Sequence, residues 1–333
     1  MGQVRGSPTA RGPSSLIPHP FTMVAVVIVS YNTAGLLRNC LASLAGCRLP
    51  LRVVVVDNGS RDGSPAMVRA EFPAARLVEA GYNAGFAGGT RIGLAALEGS
   101  GAAPYEYLLV LNPDTVVHPG AVEAMAAFLA AHPRVGLVGP RLLNPDGSPQ
   151  PAAFRFPTLA MAALDLFPPG EVLPGRLYGS WWHGRYPQDG GDAPFPIDHP
   201  LGACMLVRRE VLATVGPMDE RYFMYSEEVA WCWRIRRAGW AIWQVPAATV
   251  THVGGASTRQ FRHAMLVALW RSRDQFAAER GPAWRVVAHR ALVGAGMLRL
   301  TLAAWRAYAA GELERDELRA RLWAYGQIVR GHE

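Results

Sequence analysis

A chain of 333 residues, half of them hydrophobic and only 18% charged, can bury a large core, which excludes a globally disordered protein. All 33 basic residues are arginine, and the formal net charge of +7 suits anionic substrates or a membrane surface. No nucleic-acid-binding motif accompanies this charge, so we expect no nucleic-acid partner.

The four cysteines form no CxxC pair and no Cys/His cluster with zinc spacing, which predicts reduced structural thiols. The start of the chain lacks the apolar core of a signal peptide. No uncharged apolar run reaches the length of roughly 18 residues that would predict a membrane span. We therefore expect a cytoplasmic protein.

The segment 1–22 is rich in Pro, Ser and Gly and has no periodicity, which predicts a disordered leader. Met23 directly precedes the first apolar run and is a possible true start. Beyond it, strands are predicted at 24–30, 52–56, 76–79, 107–111 and 135–138, and helices at 34–45, 64–71, 84–97 and 119–131. This alternation, with short connections, indicates parallel βαβ units and an α/β fold with a mostly parallel central sheet flanked by helices.

The character of the chain changes near Pro140. The segment 141–200 has little periodicity and predicts a long functional loop, in which Trp181 and Trp182 either stack on a sugar or anchor a lid. Strands follow at 203–207, 240–244 and 248–251, helices follow at 209–215 and 227–238, and the chain from 261 onward is predicted to be all helix. We therefore divide the chain into a catalytic domain at 23–260, with halves 23–140 and 141–260, and a helical region at 261–333.

Polar turns follow the predicted strands of the first half. They contain Ser30-Tyr31-Asn32, Asp57, the glycine-rich stretch 83–89 and Asn112-Pro113-Asp114. Because the carboxyl ends of parallel strands meet at one edge of a sheet, these groups are expected to converge on one crevice. The glycines either let helix N–H groups face a phosphate or permit close packing of helix against strand. Asp114 either binds a divalent cation and its diphosphate or caps a turn.

In this order, the motifs resemble those of family 2 glycosyltransferases of the GT-A fold, a Rossmann-like fold, and most of all the bacterial rhamnosyltransferase-like branch. The matching segments are 26–32, 54–60, 83–89, 111–115, 202–210 and 216–234. The resemblance covers about 24–275 and implies an inverting transferase that uses a nucleotide diphosphate sugar and a divalent cation, Mg²⁺ or Mn²⁺.

The resemblance also implies a set of site residues. The nucleotide sugar would be bound by Ser30, Tyr31, Asn32, Asp57, Asn83, Gly85, Phe86, Ala87, Asn112 and Asp114. The metal would be bound by Asp114 and His252, and the donor or acceptor sugar by Asp198, Gly202 and Ala203. A purely structural role for His252 is the alternative.

The resemblance assigns the catalytic base to Glu228, with Glu227 as the second candidate. A helix start favours the ionised carboxylate that a base requires, although the pair would also suit a first helical turn without any catalytic role. We further expect Asp114 and Glu228 to face each other across one cavity.

Two features depart from the family pattern. Ala230 stands where the branch usually has Asp, and Thr90-Arg91 replaces an Asn-rich end, with Arg91 as a substitute phosphate partner. These departures motivate an alternative function, a catalytically impaired sugar-nucleotide-binding module that partners an active transferase. A nucleotidyltransferase is disfavoured, because no basic glycine-rich triphosphate loop follows the first strand.

A basic amphipathic helix is indicated at 286–310, with Arg290, Arg299 and Arg306 among apolar residues. It would lie at the inner face of the plasma membrane and suit a lipid-linked saccharide acceptor, or else pack on the catalytic domain or on a second copy in a homo-oligomer. The hypothesis is a rhamnosyltransferase of cell-envelope glycan synthesis.

Overall fold

The computed structural model describes residues 22–99, 104–168, 183–186, 191–254 and 261–331. Nearly all of the predicted leader and the Trp181-Trp182 pair lie outside these ranges. The strands are β1 Val24–Ser30, β2 Leu51–Asp57, β3 Arg76–Glu79, β4 Tyr107–Leu111, β5 Thr115–Val117, β6 Val135–Leu143, β7 Pro149–Gln150, β8 Ala153–Phe154, β9 Phe195–Pro196, β10 His199–Pro200, β11 Cys204–Arg208 and β12 Ala241–His252. The helices are α1 Ala34–Leu44, α2 Ser64–Glu71, α3 Gly85–Glu98, α4 Ala121–Ala131, α5 Leu159–Leu166, α6 Arg209–Val215, α7 Glu227–Arg237, α8 Arg262–Arg280, α9 Ala283–Ala309 and α10 Arg315–Arg330.

The central sheet has the strand order β3-β2-β1-β4-β11-β6-β12-β5. Strand β1 pairs in parallel with β2 and β4, β2 with β3, and β6 with β12. Strand β11 runs antiparallel between β4 and β6, so the sheet is mixed. The predicted α/β fold with a mostly parallel sheet and flanking helices is confirmed.

Both faces of the sheet are covered, which explains the continuous apolar runs of β1 and β4. Every residue of these two strands is buried. On the side of α3, a Cβ placed on Gly89 would lie 2.5 Å from Val29 Cγ1, and one on Gly93 would lie 2.5 Å from Val27 Cγ1. Helix α3 therefore rests directly on β1, and glycine is required for this approach.

The predicted boundaries need correction in the second half. The segment 141–200 is not a plain loop. Strand β6 extends into it as far as Leu143, and it also contains helix α5 and the four short strands β7, β8, β9 and β10. The two strands predicted at 240–244 and 248–251 form one strand, β12, with an irregular register between Val245 and Thr249. Short strand β5 was missed, since three residues carry too little periodicity to predict a strand and only its antiparallel pairing with β12 defines it.

The predicted helical C-terminal region is confirmed. Its three helices share a hydrophobic cluster with α5 that includes Val267, Trp270, Met297 and Ile328. Among the described helices, only α9 is long and apolar enough to cross a membrane by length and composition alone, and 22% of its most apolar 18-residue window is buried.

Candidate active site

Asp57 ends β2 beside the last residue of β1, because the register of this parallel pair places Ser30 opposite Asp57. Its Oδ2 accepts hydrogen bonds from the N–H groups of Gly59 at 3.1 Å and Ser60 at 3.0 Å. Its Oδ1 is buried and has no partner within the protein. An unsatisfied buried carboxylate oxygen is costly, so this atom is a ready acceptor for an N–H or O–H group of a ligand.

The turn after β1 is tied to the turn after β2. The N–H of Asn32 donates to Ser60 Oγ at 2.9 Å, and Asn32 Oδ1 accepts from the N–H of Arg61 at 2.8 Å. Asn32 adopts a φ of 52°, which lies in the left-handed region. Half-buried Tyr31 lies between Ser30 and this fixed residue. The nucleotide-binding role predicted for these three residues stays a prediction.

The glycine-rich turn before α3 is occupied by internal hydrogen bonds. The N–H of Gly85 donates to Asn83 Oδ1 at 3.0 Å, and the N–H of Phe86 donates to the carbonyl of Phe223 at 3.2 Å. At Gly85, φ is 72°, and a Cβ would collide with that same carbonyl oxygen. Close packing therefore accounts for the glycines, and these two N–H groups are not free donors for a phosphate. A donor-binding role for Gly85, Phe86 and Ala87 stays a prediction.

Asp114 and His252 meet through the antiparallel pairing of β5 with β12, which sets Thr115 opposite His252. His252 Nε2 lies 3.4 Å from Asp114 Oδ1, and both side chains are 9% exposed. His252 Nδ1 lies 2.8 Å from Gln150 Oε1.

Gln150 determines the tautomer of His252. Its Nε2 donates to Asn144 Oδ1 at 2.9 Å and to the carbonyl of His252 at 3.2 Å, so its Oε1 is an acceptor and His252 Nδ1 carries the proton. With the proton on Nδ1 only, Nε2 presents its lone pair to the carboxylate of Asp114. At 3.4 Å, the lone pairs of His252 Nε2 and Asp114 Oδ1 repel each other unless a proton or a cation lies between the two atoms.

This donor set fits a divalent cation. A carboxylate oxygen and an imidazole nitrogen are common metal ligands, and the hydrogen bond from Nδ1 orients the ring in the usual way. Within the described ranges, no group of three His, Cys, Asp or Glu side chains is placed to hold a metal ion. Further ligands would therefore come from a diphosphate and from water, as is common for Mg²⁺.

Two contacts connect the end of β4 to the start of α7. The N–H of Asn112 donates to the carbonyl of Ala203 at 2.8 Å. Gly202 in turn lies against the side chain of Glu228: a Cβ added to this glycine would be 3.3 Å from Glu228 Cγ. Two of the three residues predicted to bind the sugar, Gly202 and Ala203, thus lie between Asn112 and the predicted base.

Glu227 and Glu228 begin α7 after Tyr225 and Ser226, which have φ values of 68° and 61°. Consecutive left-handed residues without glycine are strained, and such strain is concentrated at functional sites. Both glutamates have a buried Oε2 without a partner within the protein.

Burial controls the charge of this pair. It raises the pKa of Glu228 to about 6, and burial together with the charge of Glu228 raises the pKa of Glu227 well above its usual value. The favourable effect expected from the helix start is therefore outweighed, because desolvation raises both pKa values more than the backbone N–H groups lower them.

A cleft of about 710 Å³ has Glu228 in its wall, together with residues of α5, α8 and α9. Asp114 does not line this cleft, so the expectation that both acids face one cavity is not met there. Asp198 is also outside its lining, and its Oδ2 accepts the N–H of Phe156 at 2.9 Å.

The residues that depart from the family pattern do not line the cleft. Ala230 is 1% exposed and packs in the hydrophobic cluster that contains Tyr222 and Ile235. Arg91 forms an ion pair of 2.5 Å with Glu220, and more than half of each side chain is exposed. This placement gives Arg91 an acidic partner at the surface and lends no support to its predicted phosphate role.

Sequence reasoning missed Gln150 and the arginines of the cleft. Gln150 lies in a segment without periodicity, and only the pairing of β7 with β6 places it near His252. The arginines are dispersed among apolar residues of separate elements. The sequence announces these arginines only through its excess of basic over acidic residues, and this excess does not show which arginines meet in the cleft.

Comparisons with known proteins identify the family of this chain. The family model for glycosyl transferase family 2 matches residues 25–216. N-acetylglucosaminyl-diphospho-decaprenol L-rhamnosyltransferase of Mycobacterium tuberculosis is 33% identical over 271 residues, which cover 79% of this chain and 86% of the relative. The low-salt glycan biosynthesis hexosyltransferase Agl10 of Haloferax volcanii is 26% identical, with 69% of this chain and 66% of the relative covered.

Among solved structures, mannosyltransferase PcManGT of Pyrobaculum calidifontis, in complex with GDP-Man and Mn²⁺, superimposes with a TM-score of 0.54. It is 18% identical, and the match covers 96% of this chain and 91% of that one. At this identity the likeness shows the fold, which is GT-A. The family model and the identity to the mycobacterial enzyme show more: this chain is a glycosyltransferase and belongs to glycosyl transferase family 2.

Proposed function

We propose that this chain is a metal-dependent inverting glycosyltransferase of cell-envelope glycan synthesis. It would move L-rhamnose from a nucleoside diphosphate donor to a lipid-linked diphospho-sugar. The observation that carries the reaction type is Glu228, a half-buried acid whose Oε2 is buried and has no partner within the protein, in the wall of a large cleft. The sugar and the acceptor class rest on the 33% identity to the mycobacterial enzyme.

On the donor side, Asp57 Oδ1 would accept a hydrogen bond from the base or ribose of the nucleotide. Asp114 and His252 would hold the divalent cation, with Gln150 fixing the imidazole orientation. The bound cation would neutralise the charge that develops on the departing nucleoside diphosphate.

On the acceptor side, Glu228 would take the proton from the attacking hydroxyl as that oxygen bonds to the anomeric carbon. A base with a pKa of about 6 is largely ionised at neutral pH and still accepts a proton effectively. Gly202 would leave room for its side chain. One displacement of this kind inverts the anomeric configuration.

The protein would act at the inner face of the plasma membrane, where a lipid-linked acceptor resides. Helix α9 supports this placement, because its sequence has no acid and its Trp284, Val287, Leu298, Leu302 and Trp305 are about half exposed or more. Large exposed apolar side chains together with arginines are typical of an interfacial helix.

The test uses purified full-length protein, dTDP-L-rhamnose and N-acetylglucosaminyl diphosphate on a ten-carbon chain, with Mg²⁺ or Mn²⁺. Mass spectrometry should detect a metal-dependent rhamnosylated product, and EDTA should abolish its formation. If calorimetry shows that the donor binds, but the sugar is neither transferred to an acceptor nor released by hydrolysis, the result would favour the alternative, a non-catalytic sugar-nucleotide-binding module. The burial of Ala230 outside the cleft weakens one of the two reasons for that alternative.

A further inference from the structure

The cleft that contains Glu228 is strongly basic. Its lining includes five arginines and two acidic residues. Arg273 is paired with one of the acids, because its Nη1 lies 2.8 Å from Asp165 Oδ2. The other four arginines in the wall are Arg155, Arg185, Arg280 and Arg285, and the other lining carboxylate is Glu228.

Three of these guanidinium groups are concentrated around the joint between α8 and α9. Arg280 ends α8 and Arg285 lies in the first turn of α9. Burial is the main cause that lowers the pKa of Arg280; the charge of Asp198 opposes it, and the charges of Arg285 and Arg155 lower it further. The guanidinium groups of Arg155 and Arg285 therefore lie near enough to Arg280 to act on its charge.

Arg280 is held in place by the protein. Its Nη1 donates to the carbonyl of Pro157 at 2.5 Å, and its Cζ lies 4.8 Å from the ring centroid of Trp233 and 5.9 Å from that of Phe276. A guanidinium oriented by stacking loses little freedom when it binds an anion, which makes it a pre-organised phosphate ligand.

The same cleft is apolar where α9 begins. Trp284 lines the cleft and is 60% exposed, and its neighbour Arg285 lines it as well. Val287, Leu298, Leu302 and Trp305 continue the exposed apolar residues along α9 at helical spacing. The wall therefore combines a predicted base, a group of guanidinium ions and the start of an apolar helix face.

We propose that Arg155, Arg280 and Arg285 bind the diphosphate of the lipid-linked acceptor. This inference rests on the proposed function and deepens it. The acceptor has three consecutive parts, which are a sugar, a diphosphate and a lipid. Glu228 would face the sugar, the three guanidinium groups would bind the phosphate oxygens in charge-assisted hydrogen bonds, and the lipid would leave over Trp284 along α9.

The test measures binding in the absence of transfer. Calorimetry would use N-acetylglucosaminyl diphosphate on a ten-carbon chain and, as a matched ligand, the ten-carbon alkyl N-acetylglucosaminide that lacks the diphosphate. Saturating dTDP and Mg²⁺ would fill the donor site, so that neither ligand binds there. The variants are Arg155→Gln and Arg285→Gln, because Arg280 also packs on aromatic rings and its loss would disturb the fold. Arg237→Gln, at an exposed position outside the cleft, is the control.

Each cleft variant should weaken the diphosphate ligand roughly tenfold to a hundredfold, which is the range for hydrogen bonds to charged groups. Affinity for the alkyl glycoside should stay unchanged, and Arg237→Gln should match the wild type for both ligands. Unchanged affinity in both cleft variants would overturn the proposal, as would equal losses for the two ligands or an equal loss in Arg237→Gln.

A membrane headgroup is the other source of phosphate. If the cleft variants lose binding only to vesicles that contain phosphatidylglycerol, and not to the soluble diphosphate ligand, the arginines bind headgroups and the proposal is wrong. Binding of the diphosphate ligand without any rhamnose transfer by the wild type would instead defeat the proposed function and leave the arginine site standing.

Discussion

Replacing Glu228 by Gln should make the protein more stable and much less active. The glutamate is half-buried with its Oε2 fully covered, and desolvation raises its pKa from 4.5 to about 6. Because the pKa of Glu228 is higher in the folded state than in the unfolded state, the protonated acid favours folding and the ionised acid opposes it. The free energy of unfolding therefore falls as pH rises from about 4.5 to about 6 and beyond.

The magnitude follows from the difference of about 1.5 between the two pKa values, at about 1.4 kcal/mol per unit. An amide that cannot ionise avoids this cost, so Glu228→Gln should raise the free energy of unfolding by about 2 kcal/mol at pH 7. For a chain of this size, the corresponding rise in Tm is roughly 3 °C. Below pH 4.5 the glutamate is protonated in both states, and the two proteins should unfold alike.

The assays are urea unfolding at pH 4 and pH 7 and rhamnose transfer at pH 7. Loss of a general base typically lowers kcat by about a hundredfold or more. Glu312→Gln, at an exposed position, serves as the stability control, and Glu227→Gln tests the identity of the base. Equal stability of Glu228→Gln and wild type at pH 7 would refute the burial argument. An undiminished kcat would move the base to Glu227 or elsewhere.

Three further changes test the donor side and the fold. Asp114→Ala should abolish transfer and the thermal stabilisation by dTDP-rhamnose with Mg²⁺, while circular dichroism stays native; full turnover would defeat the metal assignment. Gln150→Leu removes the hydrogen bond that orients His252, so half-maximal activity should require about 10-fold more metal, and an unchanged metal requirement would argue against a ligand role for His252. Gly89→Ala forces a Cβ to 2.5 Å from Val29 Cγ1 and should lower unfolding free energy by about 1–3 kcal/mol; unchanged urea unfolding would show that α3 does not rest tightly on β1.

The sequence determined the framework of the nucleotide-binding half. Buried strands β1 and β4 are continuous apolar runs, and the polar turns after them contain Asn32 and Asp114. Each of these features is local, since a strand covered on both faces must be apolar along its whole length. The predicted order of strands and helices in this half therefore agrees with the structure, apart from β5.

The charge state of Glu228 depended on tertiary structure. Its position at a helix start predicted an acid with a favourable charge, but desolvation in the folded protein raises its pKa to about 6. Helix position is visible in the order of residues, whereas desolvation depends on every element that covers the side chain.

The same holds for the groups that come together from distant parts of the chain. Gln150 reaches His252 across 102 residues, and Arg155 and Arg280 are likewise far apart in the sequence. Periodicity reports which face of a segment is buried, but it does not specify which segments become neighbours. Strand pairing and helix packing alone decided that the imidazole has an oriented tautomer and that the cleft beside Glu228 is basic.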